Sequence, residues 1–181
     1  MMKNRNYYLW LFITFLLLSF DVLADYKKVD KGAATWDKND GYYIVFVARD
    51  YVPGHAFVIW GVRDRINKEW KESLAFGLYP KSGGKDTVFG TVPGKLKREG
   101  IKSISSINNG LAVAVSKNMY DYSLMNTKAI RTGDYPYNLS AQNCVHFTDM
   151  VARSISLKTP NVVGIENHPQ KYIAKLLELN D

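Results

Sequence analysis

Residues 137–152 read YNLSAQNCVHFTDMVA and contain Cys144, the only cysteine of the 181-residue chain. From Cys144 onward, apolar side chains recur at helical spacing, at Cys144, Phe147, Val151 and Ile155. This pattern predicts a helix that begins near Ser140, with the Ser140 hydroxyl as its cap and an apolar face turned to a core. Because helix N-termini carry unpaired N–H groups and a positive partial charge, they lower the pKa of a nearby thiol. Cys144 is therefore a candidate nucleophile.

The first 24 residues have the composition of a secretory signal. Lys3 and Arg5 precede the apolar run 9–20, and Val22-Leu23-Ala24 offers a cleavage point after Ala24. A membrane anchor is the alternative, but Asp21 ends the run before the roughly 20 residues that a spanning helix needs.

We therefore predict a signal peptide at 1–24 and one domain at 25–181, secreted or periplasmic, with no stable membrane span after cleavage. A single cysteine leaves no partner for an internal disulfide. We expect the mature domain to be a monomer.

The chain is basic, with a formal net charge of +7. Its Lys and Arg residues are scattered in ones and twos and form no arginine-rich stripe, which argues against nucleic acid as a partner. An anionic envelope surface suits this charge, although a solvated surface explains it as well. The sequence lacks HExxH, CxxC, GxSxG and a complete phosphate-binding loop, so we expect no metal and no cofactor.

Residues rich in β-branched and aromatic side chains predict antiparallel strands. Segments 42–48 and 55–61 and the second half of 69–80 form a meander, with further strands at 86–91 and 111–115. Helices are expected from Ser116 toward Arg131, around Cys144, and at 172–179, whereas 25–41 reads as an irregular lead-in. The expected fold class is α+β, with about five antiparallel strands packed against two or three helices.

A thiol nucleophile needs a base, and histidine is the usual one because it titrates near neutrality. His55 opens the apolar strand HAFVIWG, where a polar side chain requires a partner. His146 projects about 200 degrees around a helix from Cys144, and His168 is expected on the surface. His55 is thus the candidate base, and the alternative for Cys144 is a small buried apolar residue.

The segment PGHAFVIWG at 53–61, followed by YNLSAQNCVHFTDMVA, resembles the circularly permuted branch of the NlpC-type papain-like cysteine hydrolases. That branch includes lecithin:retinol acyltransferase-like and PPPDE-like proteins. Its local marks are the histidine strand and the phrase NCxxF, formed here by Asn143, Cys144 and Phe147. The resemblance, which spans roughly residues 42–155, implies a papain-like fold with Cys144 as nucleophile and His55 as base. Backbone N–H groups near Asn143 and Cys144 would then bind the oxyanion.

The resemblance also implies a third polar residue that orients the imidazole. If the hairpin after the histidine strand turns around Arg65, residues 73–76 lie opposite or diagonal to His55. Ser73 and Glu72 are then the polar candidates, and we favour Ser73 because alternation separates their faces. Tyr51 and Asn143 are the candidate substrate-binding residues, although a turn aromatic such as Tyr51 also serves simple packing.

Three functions fit these residues. The first is a cysteine peptidase or amidase that uses a Cys–His dyad, acting on peptidoglycan peptides. The second is a lipid-directed acyltransferase or thioesterase with the same dyad. The third is a catalytically inactive module that binds envelope polymers. The expected partner is accordingly a cell-wall peptide or a lipid.

Overall fold

The computed structural model describes residues 27–31, 40–49, 54–81, 84–88, 90–100, 107–133 and 135–180. The predicted signal peptide and Tyr51 lie outside these residues. Within the described part of the chain, no helix combines the length and apolar character needed to cross a membrane.

One mixed sheet forms the centre of the fold. Its strands are β1 (Lys27–Lys31), β2 (Asp40–Arg49), β3 (His55–Asp64), β4 (Trp70–Pro80), β5 (Val92–Arg98), β6 (Ile107–Val115) and β7 (Tyr135–Tyr137). The order across the sheet is β1-β6-β2-β3-β4-β5-β7, and β1 alone among them pairs in parallel. The helices are α1 (Lys117–Asn126), α2 (Lys128–Thr132), α3 (Cys144–Ser154) and α4 (Pro169–Leu179), with a 3-10 helix at Gly84–Val88. The α+β class and the central antiparallel meander β2-β3-β4 are confirmed.

Strands β2 and β3 are buried on both faces, which explains their nearly continuous apolar sequences. One face, which includes Phe46 and Trp60, belongs to the same core as α3 and α4. The buried Trp60 indole donates to Ser123 Oγ of α1 at 2.8 Å. The opposite face carries a smaller core that includes Val47 and Phe57.

Strands β3 and β4 diverge at one end of their hairpin. Over the described residues, their pairing ends where Val58 lies opposite Phe76, although β3 starts at His55 and β4 continues to Pro80. Beyond this point β3 remains paired with β2 as far as His55, and β4 remains paired with β5 as far as Pro80. The β3–β4 ladder therefore stops short of His55.

Two predicted boundaries are wrong. Helix α3 begins at Cys144 rather than near Ser140, because Asn143 supplies the cap. The predicted strand at 86–91 is replaced by the 3-10 helix, and the strand β5 begins at Val92 instead. Strand β5 includes Pro93 and Gly94. A glycine suits position 94 because β7 passes so closely that a Cβ there would lie 2.9 Å from the Tyr135 carbonyl oxygen.

The polar lead-in also departs from the prediction. It contains β1 at Lys27–Lys31, which pairs with β6, and it includes the start of β2 at Asp40. Helix formation after Ser116 agrees with the prediction, and the Ser116 hydroxyl accepts from Met119 N at 3.3 Å. Thr127 separates α1 from α2, so the region to Arg131 forms two helices.

Candidate active site

Cys144 is the first residue of α3 and directly follows its cap. Asn143 Oδ1 accepts from Val145 N at 2.9 Å, and Asn143 Nδ2 donates to the carbonyl oxygens of Leu139 and Glu166, the latter at 2.8 Å. With 2% exposure, this amide ties the helix start to two neighbouring loops. The position of the thiol is therefore fixed by buried hydrogen bonds.

The His55 imidazole and the Cys144 thiol lie close enough for each to shift the pKa of the other. Both residues are buried, at 6% and 7% exposure. The backbone N–H of Ala56 also helps to lower the pKa of the thiol. Ala56 lies in the part of β3 that β4 does not cover, so the divergence of the two strands makes room for the first residue of α3.

The electrostatics of the pair favour charge separation. Burial raises the pKa of the Cys144 thiol, but the hydrogen bond and charge of His55, together with the N–H groups of Ala56 and Val145, lower it overall. Burial lowers the pKa of His55, but its hydrogen bonds to Cys144 and Glu99 and their charges raise it overall. Opposite shifts of this kind favour a thiolate beside an imidazolium.

Glu99 is the residue that orients the imidazole. Its Oε1 lies 3.2 Å from His55 Nε2, and its side chain is 3% exposed. Since Nε2 faces this carboxylate, Nδ1 is the ring nitrogen left for the thiol. Tyr79 OH donates to the same carboxylate oxygen at 2.8 Å, and Arg49 donates to Tyr79 OH at 2.7 Å. A partly buried chain of polar groups thus supports the histidine.

The sheet brings Glu99 to His55 through β4. Glu99 follows the last residue of β5 and donates its N–H to the Ala75 carbonyl at 2.9 Å, which continues the β4–β5 ladder. Gly77 then lies beneath the contact, and a Cβ there would collide with both His55 Nε2 and Glu99 Oε1. The histidine and the carboxylate meet in the space that this glycine leaves empty.

The prediction of Ser73 as the orienting residue is wrong. Ser73 is exposed and pairs with Gly61, about 20 Å along β3 from His55. The hairpin turn extends to Glu69, whose carbonyl accepts from Asp64 N at 2.8 Å, and a bulge follows Val62. This shift of register removes Glu72 as well, because it pairs with Val62.

Tyr79 occupies the position beside His55 that residues 73–76 were expected to fill. The centroids of the His55 and Tyr79 rings are 4.2 Å apart. Burial and the hydrogen bond to Glu99 raise the pKa of Tyr79, so its hydroxyl stays protonated and can donate. Tyr79 and Glu99 were both missed, because their place near His55 depends on strand register.

The role predicted for Asn143 in substrate binding is also wrong, because its buried side chain is used by the helix cap and the loop carbonyls. Its own N–H points at His146 Nδ1, at 3.5 Å. The neighbouring Cys144 N–H has no acceptor among the described residues. Of the two predicted oxyanion donors, the Cys144 N–H is therefore the one that remains available.

Tyr137 is a further residue that sequence reasoning missed. Paired N–H and C=O groups of Asn138 and Gln142 close a turn, at 2.9 and 3.0 Å, and this turn returns the chain from Tyr137 to Cys144. Burial, followed by the charge of Cys144, raises the pKa of Tyr137 to about 12. Its phenol therefore keeps its proton near the thiol at neutral pH.

The other two histidines lie apart from the thiol, as predicted. His146 Nδ1 is 3.1 Å from Asn143 Oδ1, and His168 is exposed before α4. Among the side chains that the structure describes, no three His, Cys, Asp or Glu residues group in a way that could hold a metal ion. Comparison of the chain with family models, curated proteins and solved structures finds no match.

Proposed function

We propose that the protein is a cysteine hydrolase of the peptidase or amidase type. The supporting observation is a continuous chain of contacts from the Cys144 thiol to His55 and on to the buried Glu99 carboxylate. Cys144 is the nucleophile, His55 the general base and acid, and Glu99 the residue that holds the imidazole. This arrangement activates the thiol through neighbouring side chains.

The reaction follows from the protonation states. The Cys144 thiolate attacks the scissile carbonyl carbon and forms a tetrahedral oxyanion, which accepts hydrogen bonds from the Cys144 N–H and the Tyr137 hydroxyl. The His55 imidazolium donates its proton to the leaving amine, and a thioester remains. Neutral His55 then takes a proton from water, whose oxygen attacks the thioester. Collapse of that intermediate releases the acid and regenerates the thiolate–imidazolium pair.

We also propose that the domain is papain-like and belongs to the permuted NlpC-type branch. Its support is the chain order, in which the histidine strand β3 precedes the cysteine helix α3, and the location of Cys144 at a helix N-terminus against an antiparallel sheet. A secretory signal and a basic chain suit a substrate in the cell envelope. Peptide bonds of peptidoglycan are the proposed target.

The test is digestion of purified peptidoglycan with the purified protein, followed by separation of soluble fragments. We expect release by the wild type and by Ser73→Ala, and none by Cys144→Ala. Release by Cys144→Ala would disprove the nucleophile. A Cys144 acyl adduct after incubation with phospholipid, without peptidoglycan cleavage, would assign the lipid-directed reaction. A thiol that alkylates no faster than glutathione would indicate the inactive binding module.

A further inference from the structure

The His55 imidazole, the Tyr79 ring and the Lys97 ammonium form a stack at the site. The Tyr79 ring contacts the His55 imidazole, with 4.2 Å between ring centroids, and the Lys97 ammonium lies 4.9 Å from the centroid of the Tyr79 ring. Lys97 is exposed, whereas His55 is buried. A substrate that approaches His55 over Tyr79 therefore passes a lysine first.

Lys97 is held in this position by the same strands that build the site. It lies opposite Gly77 in the β4–β5 ladder, and it shares a strand face with Glu99, two residues further on. Gly77 has no side chain, which leaves space above β4 for the His55 imidazole and the Glu99 carboxylate. The Tyr79 hydroxyl donates to this carboxylate, so Tyr79 and Glu99 lie between Lys97 and His55. The backbone of Lys97 is thus held beside the reacting groups by the sheet.

No described carboxylate near the site forms an ion pair with the Lys97 ammonium. The thiolate and the imidazolium offset each other, and the Glu99 carboxylate is used by His55, Tyr79 and, at 3.8 Å, by Arg49. Within the described residues, no carboxylate lies within ion-pair distance of Lys97. A substrate carboxylate could therefore supply a complementary negative charge to Lys97.

We infer that Lys97 selects substrates that carry a carboxylate close to the scissile carbonyl. The inference rests on the proposed function and narrows its substrate class to acidic peptides. A lone ammonium on a flexible stem attracts an anion as a point charge and does not dictate bidentate geometry. Its contribution is therefore a preference for anionic over neutral substrates, which weakens as ionic strength rises.

Alkylation of Cys144 tests this preference without knowledge of the substrate, since the chain has no other thiol. Iodoacetate carries a carboxylate next to its reactive carbon, whereas iodoacetamide is its neutral counterpart. The measured quantity is the ratio of the two second-order rate constants at pH 7 and low salt. We expect Lys97→Gln to lower the iodoacetate-to-iodoacetamide ratio about three- to tenfold, as for the loss of one charge at a partly solvated site.

Two variants control the measurement. Lys97→Arg retains the charge and is expected to retain the ratio. Lys85→Gln removes an exposed lysine from the 3-10 helix and is expected to leave the ratio unchanged. An unaltered ratio in Lys97→Gln, with a thiol that still reacts rapidly, would overturn the inference and leave the proposed function intact. Slow reaction of the wild type with both reagents would contradict the proposed function, and the inference with it.

Protection of Cys144 from alkylation distinguishes a peptide carboxylate from a lipid phosphate as the anion that Lys97 attracts. We expect an N-acetyl-alanyl-glutamate peptide to slow iodoacetamide alkylation of the wild type and to do so less in Lys97→Gln. Protection by phosphatidylglycerol vesicles alone, with the same dependence on Lys97, would overturn the carboxylate assignment in favour of a lipid phosphate.

Discussion

The His55 imidazole occupies the space beside Gly77 in which any other residue would carry its Cβ atom. The Glu99 carboxylate reaches the same space from β5. One strand residue without a side chain thus allows His55 and Glu99 to meet over β4.

Gly77→Ala is expected to reduce kcat/KM about 100-fold, because the added methyl group displaces His55 from Cys144 and small displacements of reacting groups are costly. Hydrolysis and the alkylation rate of Cys144 would both be measured. The control is Gly84→Ala, where no atom lies within 4 Å of the new methyl group. Full activity in Gly77→Ala would mean that the His55–Glu99 contact is dispensable.

Glu99→Gln is expected to lower kcat on the order of 100-fold or more, since a neutral amide of the same shape cannot stabilise the imidazolium. Ser73→Ala is the control, because Ser73 lies far from His55 along the strand. Equal kcat values for the two variants would show that Glu99 does not support catalysis.

The pH dependence follows from the shifted pKa values. Activity should fall at low pH as the Cys144 thiolate gains a proton, and at high pH as the His55 imidazolium loses one. The pKa of Cys144 is lowered and that of His55 is raised, so the pH range of activity between the two limbs widens.

His55→Ala removes the hydrogen bond and charge that lower the thiol pKa but leaves Cys144 in α3. Its profile of iodoacetamide alkylation against pH should therefore move to higher pH, and a profile superimposable on the wild type would refute the ion pair.

Tyr137→Phe is expected to reduce kcat about 100-fold with little change in KM, as for the loss of one oxyanion donor. Tyr120→Phe is the matched control. The Tyr120 pKa is also raised to about 12, by burial and by acidic neighbours, with no contribution from Cys144. Similar kinetics for both variants would exclude Tyr137 from the reaction.

Asn143→Ala is expected to lower the free energy of unfolding by about 1–3 kcal/mol, because it removes the cap of α3 and leaves buried polar groups without partners. Ser140→Ala should change it by less than about 0.5 kcal/mol, since Ser140 is exposed and its side chain does not cap the helix. Chemical denaturation of both variants provides the measurement. Equal losses would contradict the cap assignment.

Cys144 and His55 could be predicted from the sequence because each carries a local signal. The cysteine stands alone in the chain and begins an apolar helical pattern, and the histidine opens an otherwise apolar strand. Their contact in the structure agrees with that prediction. Local periodicity also predicted the meander and the helix around Cys144, since side-chain burial repeats with the period of each element.

Glu99 could not be found in this way. It lies 44 residues from His55, in a Lys-Arg-Glu-Gly segment that reads as exposed and charged. The prediction of Ser73 is wrong because the hairpin turn is longer than the one expected around Arg65. A change of register at the turn moves every opposing pair along the two strands. Sequence patterns predict which face a residue lies on, whereas register depends on turn geometry and bulges.

The divergence of β3 and β4 has a consequence for solubility. Where two paired strands part, each presents an unpaired inner edge, and such edges are templates for association with other chains. Here the N-terminus of α3 lies against the β3 edge, where the Ala56 N–H helps to lower the pKa of the Cys144 thiol. The helix that carries Cys144 therefore also covers part of this edge, and we expect variants that loosen the helix to aggregate more readily.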